Sequence, residues 1–129
     1  MRSPEQILRD AKTIALVGAS PNPDRPSHGV MRYLLDNGYR VIPVRPHRTE
    51  VLGVPCVASL ADIHEPIDLV DVFRTESAAP GHDREAVEVG AKAFWLQLDL
   101  RSPEARAICE EAGLDYVEDE CTAIVHRRI

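Results

Sequence analysis

Little in this chain can cross-link it or anchor it. Its three cysteines, Cys56, Cys109 and Cys121, are odd in number and widely spaced, which excludes a disulfide framework and a zinc ribbon, so the thiols are read as reduced. No apolar stretch approaches the roughly 18 to 20 residues that a membrane span needs. Met1-Arg2-Ser3-Pro4-Glu5 opens without a hydrophobic signal region, and the expectation is a cytoplasmic protein with no membrane partner. Internal repeats and low-complexity linkers are missing as well, so residues 1–129 are expected to form one domain. Net positive charge is also lacking. A formal charge of −6 argues against general nucleic-acid binding, which relies on many Lys and Arg contacts to phosphate. His47, His64, His82 and His126 share no ligand spacing, and no metal site is expected.

What the chain does have is short apolar runs alternating with helical patterns. Ser3 caps and Pro4 opens a short helix to Lys12; the first strand is Thr13 to Val17. After a turn from Gly18 to Ser27, the spacing of Val30, Met31, Leu34 and Leu35 predicts a helix that ends at Gly38. The second strand is Arg40 to Val44, where Pro43 implies that pairing stops. A small turn or extended piece at Val51 to Pro55 and a short helix around Ser59 to Ile63 lead to a third strand, Ile67 to Phe73. A helix between Ser77 and Val89, a fourth strand from Ala93 to Leu98, a helix from Ser102 to Gly113 and a fifth strand from Leu114 to Val117 follow. The tail from Asp119 to Ile129 is expected to finish extended. This alternation gives the fold class: α/β, a Rossmann-like doubly wound parallel sheet of about five strands with helices on both faces. The expected strand order is 3-2-1-4-5, with ligand bound across the carboxyl ends where the order reverses.

The stretch from Thr13 to Asn37 is the one on which function turns. An apolar strand runs into Gly18-Ala19-Ser20 and then a helix start, and unpaired N–H groups at a helix N-terminus attract anions. It is not a G-x-G-x-x-G fingerprint, because no second or third glycine follows Gly18. The second strand ends in Val44-Arg45-Pro46-His47-Arg48 rather than in the acid that receives a ribose hydroxyl of NAD. Between Arg25 and Arg48 lie five arginines and two histidines against one carboxylate, whereas sixteen of the twenty-one acids lie from Asp62 to Glu120. That basic island suits a small polyanion with an extra phosphate, such as NADP or coenzyme A.

Val17-Gly18-Ala19-Ser20-Pro21, Gly38-Tyr39-Arg40-Val41-Ile42-Pro43-Val44, Val51-Leu52-Gly53, Ile67 to Arg74, Gly90-Ala91-Lys92-Ala93 and Trp95-Leu96-Gln97 resemble the small stand-alone CoA-binding proteins. These are similar in turn to the N-terminal CoA-binding domain of the succinyl-CoA synthetase alpha subunit, and the resemblance runs along nearly the whole chain. It implies coenzyme A as the cofactor. Gly18, Ala19, Ser20 and Pro21 would line the phosphates, with Ser27 and His28 at the helix start. Arg45 and Arg48 would meet phosphate from the second strand, Phe73 and Arg74 would flank the adenine, and Trp95, Leu96 and Gln97 would lie opposite. The chain departs from the family pattern at Arg45, where asparagine is usual, at Leu98-Asp99-Leu100, where a glycine is usual, and at Glu120, where arginine is usual.

Other readings of the same residues stand beside this one. Ser20 and His28 do not make a hydrolase site, since the turn is not G-x-S-x-G and no acid is placed to orient the imidazole. Asp68 and Asp71, three apart on a strand, point to opposite faces and are not a catalytic pair. Trp95 is read either as core or as a ligand contact, and Cys121 either as a structural thiol or as a partner for thioester or mixed-disulfide chemistry. The sequence therefore points to a non-catalytic module that binds or senses CoA or an acyl-CoA. The alternatives are an NADP-dependent oxidoreductase and an interaction domain that has lost its ligand. The oligomeric state is not legible.

Overall fold

The computed structural model describes residues 1–47 and 49–129. In chain order the elements are α1 (Pro4–Asp10), β1 (Thr13–Val17), α2 (Pro26–Asp36), β2 (Arg40–Val44), β3 (Glu50–Val51) and β4 (Val54–Pro55). They continue with β5 (Leu69–Val72), α3 (Ala79–Glu88), β6 (Ala93–Leu96), α4 (Pro103–Ala112), β7 (Asp115–Val117) and α5 (Thr122–His126). Short 3-10 turns precede β5 at Leu60–Asp62 and α3 at Glu76–Ala78. No described helix is long and apolar enough to cross a membrane.

Five strands pair in parallel in the order β2-β1-β5-β6-β7, giving the Rossmann-like α/β sheet. Successive residues of a strand face opposite sides, and both sides of this sheet are covered. Ala15, Val17, Val70, Val72, Phe94 and Leu96 pack with Ala86, Ala105 and Cys109 from α3 and α4. Ile14, Leu16, Leu69 and Trp95 pack with Ile7, Leu8, Met31, Leu34 and Val125 from α1, α2 and α5. Helix ends follow their local sequence: Ser3 Oγ accepts from Gln6 N–H and Ser102 Oγ from Ala105 N–H, each at 3.1 Å, with a proline next in both cases.

Two expectations are corrected. The third predicted strand, observed as β5, lies between β1 and β6 rather than outside β2, so the order is not 3-2-1-4-5. The reason is Pro43. Its carbonyl faces outward and accepts from Val57 N–H at 3.0 Å, so its missing N–H lies on that same outer side. An inner strand would need a donor there, which makes β2 the edge, where the bridge Val44↔Val57 covers its end. β5, buried at every position, takes the centre. The second correction is the tail, which is not extended but folds as α5. Burial of Thr122, Ala123 and Val125 and a 2.7 Å bond between the Tyr33 hydroxyl and His126 Nδ1 hold it there. The piece at Val51 to Pro55 is the tip of the β3–β4 hairpin, with Leu52 and Gly53 both at positive φ (52° and 79°).

Candidate functional site

The carboxyl ends of β1, β2, β5 and β6 open into a cleft of about 630 Å³. Its floor begins with Gly18, whose N–H reaches back to Val44 C=O at 3.1 Å and so ties the turn to the end of β2. Gly18 has φ +88°, and a Cβ there would lie 2.6 Å from the Phe73 carbonyl oxygen and 3.2 Å from Arg74 Cδ. The end of β5 therefore presses against the backbone of the turn, and only glycine leaves room. The loop then organises itself: Ser20 Oγ accepts from Asn22 N–H at 3.1 Å, and Asn22 Oδ1 from Asp24 N–H at 3.0 Å. Arg25 caps α2 without a side-chain hydrogen bond, so the first turn of that helix is not closed off by a cap.

Three guanidinium groups surround this turn: Arg25 from the loop, Arg45 from the end of β2 and Arg74 from the end of β5. None of them pairs with a carboxylate among the described residues. Arg45 Nε is buried and has no hydrogen-bond partner among the described residues. The far end of the cleft is made by Gln97, Leu98, Asp99, Leu100 and Cys121, where the chain has left β6 and returns from β7. Asp99 stands at φ +69°, held by its N–H to Asp119 Oδ1 at 2.8 Å. That left-handed backbone is one that glycine adopts freely and aspartate tolerates better than most residues.

Of the residues singled out from sequence, Gly18, Ala19, Ser20, Ser27, Arg45, Phe73, Arg74 and Gln97 line the cleft together. Pro21 is exposed and outside the lining, and His28 is buried in the first turn of α2, also outside it. Trp95 and Leu96 are fully buried on opposite faces of the sheet. Trp95 Nε1 donates to Glu120 C=O at 2.7 Å, which fastens the chain after β7 and not a ligand. Arg48 lies outside the described residues. The lining also holds Pro26, Val30 and Pro46, which sequence reasoning did not pick, together with Arg25, counted only in the basic island, and Leu98 and Leu100, named only as part of a departure from the family pattern. Pro26 carried a usable signal, since proline favours the first position of a helix and so places Arg25 at the cap.

Beneath the floor, Asp71 is fully buried and accepts from Gln97 Nε2 and from Thr122 Oγ1, the latter at 2.9 Å. Burial pushes its carboxyl up to about 7, against the two hydrogen bonds that favour the charged form. Asp68 serves the other end of the sheet, taking N–H bonds from Lys12 (2.9 Å) and Thr13 (3.0 Å). Between α3 and α4, Asp83 accepts from the Cys109 thiol at 3.1 Å, and burial raises its carboxyl to about 6. Both acids are easier to protonate folded than unfolded, so folding takes up protons above the ordinary carboxylate range. Stability should therefore fall as pH rises from about 4 to about 7, by up to about 4 kcal/mol for Asp71. Urea titrations across that range check this, and Asp71→Asn should flatten the slope.

The chain is similar in sequence and fold to known proteins. YneT of Bacillus subtilis (strain 168) is 43% identical over 122 residues, covering 95% of this chain and 90% of that protein. The solved structure of a hypothetical protein from Pyrococcus horikoshii OT3 matches with a TM-score of 0.93 at 41% identity, covering 98% of this chain and 92% of that one. The ADP-forming acetate–CoA ligase I of Archaeoglobus fulgidus is 24% identical over 128 residues, a match that takes in 92% of this chain and 19% of the ligase. The sequence profile described as the CoA binding domain matches residues 12–127, from the start of β1 through α5 and so around the whole cleft, and the chain belongs to that family.

Proposed function

We propose that the chain is a non-catalytic module that binds CoA or an acyl-CoA, to carry or to sense it. The observation that carries this reading is the buried Nε of Arg45, without a hydrogen-bond partner among the described residues, beside a turn that only glycine can form. Arg45 as a whole is half-buried, but a buried N–H left without an acceptor is costly, and an anion entering the cleft relieves that cost. A phosphorylated nucleotide fits the donor set: the backbone N–H groups of Ala19, Ser20 and, at the start of α2, Ser27 for pyrophosphate, and Arg45 for a further phosphate. Arg74 suits either phosphate or the face of a base. The name of the archaeal ligase couples acetate to CoA. What this chain shares with about one-fifth of that protein (19%) is taken here as the part that holds CoA.

Thermal shift with CoA, acetyl-CoA, dephospho-CoA and NADP tests the reading. A ligand at about 100 times its dissociation constant stabilises by about 2.7 kcal/mol. CoA and acetyl-CoA should raise the melting temperature more than dephospho-CoA does. A response to NADP alone, or to none of the four, contradicts the proposal.

A further inference from the structure

Gln97 leaves β6 at the floor of the cleft and is only 5% exposed there. Its carboxamide has two donor hydrogens and one acceptor oxygen. Both donors are directed downward, to Asp71 Oδ1 and to Thr122 Oγ1, the latter at 3.1 Å. The hydroxyl hydrogen of Thr122 goes in turn to the other Asp71 oxygen at 2.9 Å. No donor among the described residues reaches Gln97 Oε1, so an acceptor is the polar group left for the cleft. The reversed amide would set its oxygen against a carboxylate that can only accept. The charge on Asp71 thus decides which end of the amide a ligand meets.

We propose that Gln97 is a specificity-determining residue that offers a hydrogen-bond acceptor to an N–H group of the bound cofactor, and that Asp71 and Thr122 are positioning residues that hold it in this orientation. The inference rests on the CoA reading above. CoA carries N–H groups of two kinds, the exocyclic amine of adenine and the amides of the pantetheine arm. Gln97 follows the strand two ladders from β1, roughly 10 Å across the sheet from the Gly18 turn, a distance either group can span. Among the described residues Asp71 has no charged partner: β1 and β6 bring it no ionisable side chain. On its face of the sheet, α2 carries His28, and α5 carries His126, held by Tyr33, with Cys121 at its cap. None of these bonds to Asp71 among the described residues.

Calorimetric titration of CoA into the full chain tests this. Gln97→Met, similar in volume but without the amide, should weaken CoA binding about fivefold. Asp71→Asn should give a similar loss at about pH 8, and the double variant no further loss. Thr122→Ser, which keeps the hydroxyl, should bind as the wild type does, whereas Thr122→Val should not. The ratio of wild-type to Asp71→Asn affinity cancels the titration of the ligand's own phosphates. It should shrink toward one between about pH 8 and about pH 5.5, as Asp71 takes up its proton. Repeating the Gln97→Met comparison with adenosine 3′,5′-bisphosphate identifies the donor: a persisting loss assigns it to adenine, a vanished loss to the pantetheine arm. Wild-type affinity in Gln97→Met, additive losses in the double variant, or a pH-independent ratio overturns the inference while leaving the CoA reading intact. A wild-type chain that does not bind CoA overturns that reading and this inference with it.

Discussion

Gly18→Ala should cost about 3 kcal/mol or more of stability and abolish cofactor binding. The methyl group would sit 2.6 Å from the Phe73 carbonyl oxygen and 3.0 Å from its carbon, both backbone atoms of β5's exit that cannot turn aside. The φ of +88° adds about 1 to 2 kcal/mol for any residue with a Cβ. The turn can relieve the clash only by lifting away from β5, which moves the N–H groups proposed to face phosphate. Urea unfolding and CoA titration measure the two effects separately. Gly29→Ala is the matched control. It lies within α2 with nothing within 4 Å of its added Cβ, and should stabilise the protein by about 1 kcal/mol while leaving binding unchanged. If Gly18→Ala behaves like Gly29→Ala, the close approach of β5 to the turn does not shape the site.

Arg45→Ala should weaken CoA binding by about ten- to a hundredfold, the usual range for a charge-assisted hydrogen bond in a sheltered place. Stability should hardly fall, and can rise, because the substitution removes a buried donor that has no partner among the described residues. The backbone bond from Arg45 N–H to Val57 C=O, at 2.9 Å, does not depend on the side chain. Dephospho-CoA should bind wild type and variant nearly alike if Arg45 meets the 3′-phosphate. Arg45→Lys should recover only part of the loss, since an ammonium cannot reproduce the planar fork. Equal losses for CoA and dephospho-CoA would move Arg45 from that phosphate to the pyrophosphate.

Most of the sheet was legible because parallel strands buried on both faces read as unbroken apolar runs. Ile14 to Val17 and Ala93 to Leu96 are such runs, and the helix between Ser102 and Gly113 carries its own start and stop signals. Strand order was harder, because the patterns of β2 and β5 say nothing of which neighbour each takes. The one local clue was Pro43, and its meaning depends on which side its absent N–H faces. The α5 helix was missed for a related reason. Five residues form no period worth reading, and it is helical because Asp71, Trp95 and Tyr33 hold the chain around it through Thr122, Glu120 and His126.

The cleft divides the same way. Gly18 and Arg45 stand at strand ends, where position along the chain nearly fixes position in space, and both line the cleft. Trp95 and Leu96 lie within β6, so their side chains enter the two cores, whereas Gln97 follows the end of the strand. The contact of Asp71 with Thr122 spans 51 residues of sequence and could be seen only once the tail was folded back. Asp99 is the reverse case. The resemblance singled out Leu98-Asp99-Leu100 as a stretch where a glycine is expected, and Asp99 within it stands at φ +69°, a backbone that glycine adopts freely.

A crystal structure of the chain grown with CoA tests the central claim most directly. The account predicts pyrophosphate oxygens against the backbone N–H groups of Ala19, Ser20 and Ser27, with a phosphate within hydrogen-bond distance of Arg45 Nε. CoA bound elsewhere on the molecule, or bound in the cleft with Arg45 turned away from every phosphate, would contradict it.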